Sequence, residues 1–163
     1  MFLSPFAVAS AWSLACFLIL LPSLYFGYRG LKEKRTTHIY FNPQDYAKAN
    51  PEASVPEFAK VATFDSFVTQ YTGMAKVMIG LAAASISFGG LNTTNSNVFA
   101  AKMLLAFSIA FALLFCISVI NFYENYLHDL RSYTPFKCAL VESFGLTSMF
   151  CFALGYGYWA WHL

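Results

Sequence analysis

Residues 101–121 read AKMLLAFSIAFALLFCISVIN, twenty-one positions whose one charge, Lys102, stands beside the start. A hydrocarbon core about 30 Å thick takes about 20 apolar residues to cross as a helix. In lipid, where no water can satisfy the backbone, a helix is the form such a run adopts. Three further stretches have the same character: 6–28, 72–91 and 139–161. The composition agrees. Of 163 residues, 58% are hydrophobic, 19% aromatic and 11% charged. With a mean hydropathy of +0.54, this lies outside the range of soluble domains. The sequence therefore predicts an all-α integral membrane protein of four transmembrane helices, forming a single membrane domain over residues 1–163.

The polar residues give the expected orientation. Lysine and arginine are retained on the cytoplasmic side of short loops. Arg29, Lys32, Lys34, Arg35, Lys48, Lys60, Arg131 and Lys137 fall between spans one and two or between spans three and four, and Lys76 lies just inside the same boundary. Only Lys102 falls on the other side, and all eight acidic residues lie at or near the first. Eight of the ten tyrosines gather toward the charged side, whereas Trp12, Trp159 and Trp161 gather opposite. Both termini are thus expected outside, in a bacterial inner membrane or its equivalent. The first segment begins without Lys or Arg and has a long apolar run, unlike a cleavable signal peptide, and is expected to remain as a helix. The net charge of +2 mixes bases with acids, which does not suggest nucleic-acid binding.

Helices two and three are expected to outrun the bilayer. Ser54-Val55-Pro56-Glu57 is a capping box with a proline in the first turn, and the next breaker is Gly89-Gly90. Roughly 35 residues at about 1.5 Å each span about 50 Å, more than the hydrocarbon requires. Helix three, from the Asn95-Ser96-Asn97 caps to about Ser132, is similarly long, and Thr134-Pro135 opens helix four. The two surplus ends, 56–71 and 122–138, would form an antiparallel hairpin projecting into the cytoplasm beside the loop 29–55. Within that loop, His38-Ile39-Tyr40-Phe41 could lie on the membrane surface or pack on the helix ends.

Within lipid, helices associate through small residues that allow close approach. Helix four places Ala139, Ser143, Thr147, Cys151 and Gly155 at every fourth position, and helix two places Gly73, Gly80 and Ser87 at sevens. These are the expected packing faces, within one chain or between copies.

The candidate chemistry sits at the charged margin. ENYLHDLR, residues 124–131, carries Glu124 and His128 four apart on one helix face, a spacing found in metal sites. A zinc site needs three or four ligands, and His38 and His162 lie elsewhere in the chain. The stretch therefore reads as the hydrated end of helix three, and no metal, cofactor or catalytic residue is assigned. Lys76, Asn121, Glu124 and Glu142 fall at one depth, where a charge must pair or reach water. They would be a polar ring at the inner mouth of a pathway, a Lys76–Glu142 ion pair, or simply snorkelling side chains. No ionisable residue marks the bilayer middle, which argues against an ion-coupled transporter. Cys16, Cys116, Cys138 and Cys151 form no C-x-x-C pair.

Three functions remain. The first expectation is a non-catalytic membrane subunit or partner-binding module, working through helix packing and its inner face, in a homo-oligomer or a larger membrane complex, with the lipid bilayer as its other partner. The second is a homo-oligomeric channel lined at its cytoplasmic mouth by the polar ring. The third is an inner-leaflet enzyme acting on a lipid or quinone through Glu124, His128 and Asp129.

Overall fold

The computed structural model describes residues 4–32, 39–40, 47–48, 51, 64–88, 96–128 and 132–161. Four long helices account for most of them: α1 (Pro5–Lys32), α2 (Phe64–Phe88), α3 (Ser96–Leu127) and α4 (Pro135–Trp161). Of these, α1, α3 and α4 contain stretches long and apolar enough to cross a membrane, at Phe6–Arg29, Val98–Leu127 and Pro135–Trp161. The second helix is not among them. Its centre is diluted by Gly73, Lys76, Gly80 and Ser85. The capping box at 54–57, the helix extension 56–63 and the turn 89–95 lie outside the described residues.

The packing is inside out relative to a soluble domain. Large apolar side chains point outward, among them Trp12, Leu18, Ile19, Val77, Leu81, Leu113, Ile117 and Phe150. Small and hydroxyl-bearing residues fill the interior: Ala9, Ser13, Ala82, Ala101, Ser108, Ala112, Ser143 and Thr147. An aqueous surroundings would penalise that arrangement, and a hydrocarbon one favours it, because van der Waals contact between close backbones drives association there. This inversion, with the three apolar helices, makes the chain an integral membrane protein.

The core is α1, α3 and α4. On α4, the stripe Ala139, Ser143, Thr147, Cys151 and Gly155 is buried along its whole length. Its closest approach is at Gly155, where a Cβ would lie 2.9 Å from Leu105 Cδ2 and 3.3 Å from the Ala101 carbonyl oxygen. Midway along, Ser108 Oγ donates to the Ser148 carbonyl at 2.9 Å, and Ser148 Oγ donates to the Ser108 carbonyl at 2.8 Å. This reciprocal clasp joins α3 to α4 in the interior. Ser143 Oγ donates to the Ala139 carbonyl of its own helix at 2.6 Å, whereas the Thr147 hydroxyl, fully buried, has no partner among the described residues. The first helix is held by rings: Phe17 stacks on Phe144 at 5.4 Å and on Phe111 at 5.9 Å.

Contacts fix the helix directions. At one end Phe6 meets Phe107, Gly155 meets Leu105, and Tyr156 meets Ser85. At the other, Tyr25 meets Phe136, Tyr71 meets Phe115, and Tyr133 stacks on Phe122 at 4.4 Å. The helices alternate down and up, so Pro5 and Trp161 lie at the same end of the bundle, with Trp159.

The α3–α4 turn is tied down at the other end. Helix α3 closes at Leu127, within ENYLHDLR, with His128 N–H donating to the Glu124 carbonyl at 3.1 Å. Tyr133 is buried, and its hydroxyl donates to the Phe122 carbonyl. A two-residue antiparallel pairing, β1 (Ile39–Tyr40) with β2 (Ser132–Tyr133), sets Ile39 opposite Tyr133. The Ile39–Tyr40 segment therefore pairs with the α3–α4 turn, while His38 and Phe41 lie outside the described residues. Thr134 caps α4, its Oγ1 accepting from Lys137 N–H and its carbonyl from Cys138 N–H.

Candidate functional site

Helix α2 packs along α3 and meets α4 only narrowly. The narrow contact is at the tryptophan end, where Tyr156 and Ser85 share a hydrogen bond and the Tyr156 hydroxyl also reaches the Leu81 carbonyl at 3.2 Å. Ser85 Oγ donates to that same carbonyl at 2.8 Å. Below this clasp α2 and α4 separate and leave a cavity of about 590 Å³. Its three walls are Val68 to Met78 of α2, Ala112 to Phe122 of α3 and Cys138 to Met149 of α4.

The lining is almost entirely apolar, with Met74, Met78 and Met149 contributing flexible thioethers. Methionines suit such walls because their unbranched chains adapt to irregular guests. One ionisable carboxyl stands among the lining residues, that of Glu142, in the second turn of α4. It accepts a hydrogen bond from the Tyr28 hydroxyl of α1. Glu142 therefore joins α1 to α4 at the charged end while also bordering the cavity.

The four residues expected to form a polar ring stand on three helices: Lys76 on α2, Asn121 and Glu124 on α3, and Glu142 on α4. Only Glu142 lines the cavity. Asn121 is exposed and accepts from the Asn125 side-chain amide at 2.7 Å along its own helix, and Glu124 is exposed on the same stretch. Lys76 is exposed on α2, and no ion pair joins it to Glu142 among the described residues. Each of the two charges at this depth thus lacks the partner the sequence offered it. His128 is also exposed, and Asp129 lies outside the described residues. Among the described residues no three His, Cys, Asp or Glu side chains cluster as metal ligands would.

The two small-residue faces behave differently. That of α4 is buried, while on α2 Gly80, Ala84 and Ser87 are exposed, and a Cβ added at Gly73 or Gly80 would meet nothing within 4 Å. Gly73, Lys76, Gly80, Ala84 and Ser87 recur three or four residues apart, which places them on one side of the helix. Ala75 and Ala82, buried against the chain, lie on the other. Lys76 therefore belongs to the outward small-residue face.

Nothing in the local pattern marks Tyr28, Ser85 or Tyr156 for these roles. Each bonds across helices, and such pairings depend on helix rotation rather than on local pattern. No family model, no curated protein and no solved structure matches the chain.

Proposed function

We propose that the chain is a non-catalytic polytopic membrane protein that serves as a subunit or partner-binding module, with α2 as its docking helix. In this reading α2 is a fourth span, both termini lie outside, and Glu142, Lys76 and Tyr28 lie toward the cytoplasmic leaflet, as the distribution of Lys and Arg favours.

One observation carries the proposal: the outward face of α2 combines small residues with a cation that has no ion-pair partner among the described residues. Gly73, Gly80, Ala84 and Ser87 would let a second backbone approach closely. Lys76, set between the two glycines and exposed, is a charge that membrane helices normally carry only with a partner. The fitting partner is a transmembrane helix with small residues of its own and a carboxylate level with Lys76. A symmetric pairing of two α2 helices would instead bring like charges together. The channel and enzyme readings draw no comparable support: of the proposed ring only Glu142 borders the cavity, and the exposed Glu124–His128 pair has no third ligand among the described residues.

The test is extraction from native membranes into nanodiscs with wild type, Gly80→Leu and Lys76→Ala. Wild type is expected to migrate as a stoichiometric complex that both variants lose while remaining folded. A wild-type protein that emerges as a lone chain, or a complex indifferent to both substitutions, would defeat the proposal.

A further inference from the structure

We infer that the cavity between α2 and α4 binds a membrane phospholipid with a primary-amine headgroup. The inference rests on the chain's placement in a bilayer and is independent of what docks on the outward face of α2.

The shape of the site comes first. At about 590 Å³ it lies within the range of about 300–1,000 Å³ found for small-molecule pockets. Its walls are apolar over most of their area, which suits an acyl chain and offers nothing to an ion or a sugar. The Tyr156–Ser85 clasp joins α2 to α4 toward the tryptophan end, and Glu142 and Tyr71 stand toward the opposite one. A guest must therefore be long and apolar, with its polar group at the Glu142 end. A lipid of the charged-side leaflet enters in that orientation.

Charge then selects the headgroup. A carboxylate offers about four acceptor positions, and the Tyr28 hydroxyl occupies one of them. No cationic side chain among the described residues pairs with Glu142. A primary ammonium brings a positive charge and three N–H donors, which answers both needs through charge-assisted hydrogen bonds. A trimethylated ammonium has the charge without the donors. A phosphoglycerol headgroup has a net negative charge and is repelled.

The experiment is native mass spectrometry of the full chain in detergent, titrated with phosphatidylethanolamine, phosphatidylcholine and phosphatidylglycerol carrying identical acyl chains. Wild type is expected to retain one phosphatidylethanolamine with about tenfold preference over phosphatidylcholine, the scale of one charge-assisted hydrogen bond, and to retain phosphatidylglycerol least. Glu142→Gln, at an exposed side chain, should reduce the preference to about twofold or less while leaving the chain folded, since the amide still accepts from Tyr28 but carries no charge. Met78→Trp, which fills the cavity from α2, should lower retention of all three. Equal retention of the amine and trimethylamine lipids by wild type overturns the inference, as does a preference unchanged in Glu142→Gln. Gly80→Leu should leave the lipid preference intact, so a failure here is distinguishable from a failure of the docking proposal.

Discussion

Helices α2 and α4 each carry a stripe of small residues, and the chain uses them in opposite ways. On α4 the stripe is sealed against α1 and α3, to the point that Gly155 has no room for a methyl group beside Leu105. On α2 the stripe faces outward, with open space beside Gly73 and Gly80. The same chemistry therefore closes the fold in one place and leaves a surface available in the other. Small residues report that a backbone approaches closely; they do not report whose backbone it is.

The sharpest way to break this contrast is to overpack the sealed stripe. Gly155→Leu should cost about 3 kcal/mol or more, the upper range for overpacking a tight contact, seen as loss of the folded state in a detergent melt. A second substitution probes the turn that brings α4 back to α3. Tyr133→Phe removes the hydroxyl that bonds the Phe122 carbonyl in a buried stack, and should cost about 1–2 kcal/mol. Ser148→Ala, which removes one of the two bonds of the clasp with Ser108, is expected to cost about 1 kcal/mol, since interhelical hydrogen bonds in membranes contribute modestly. Thr147→Val should have the opposite sign: it removes a buried hydroxyl that has no partner among the described residues and should raise stability by up to about 1 kcal/mol. If Thr147→Val destabilises as much as Ser148→Ala, the sealed face of α4 does not work as described. Gly80→Leu should shift the melt least, within about 0.5 kcal/mol, although it is expected to abolish the proposed assembly.

Much of the fold was legible in the sequence because its signals are local. The apolar runs of α1, α3 and α4 set span length directly, Thr134-Pro135 marked the start of α4, and the period-four stripe marked its sealed face. The end of α3 comes earlier than the sequence predicts: the helix closes at Leu127 rather than about Ser132, which belongs to β2. The candidate site was far less legible. Lys76 and Glu142 were visible as charges at one depth, but depth does not fix rotation: one faces outward on α2, and the other bonds Tyr28 and borders a cavity. That cavity exists because α2 parts from α4 below Ser85, a distance between helices that no periodicity encodes. The pairing of Ile39 with Tyr133 spans only two residues on each side and leaves no pattern of its own.

The central claim is that α2, unlike the outer face of α1, is built to meet protein rather than lipid. A diazirine amino acid placed at position 80 of α2, and separately at the lipid-facing position 19 of α1, tests it after illumination of intact membranes. A discrete protein adduct at 80 with only lipid adducts at 19 is the predicted result. Lipid adducts alone at both positions would contradict it.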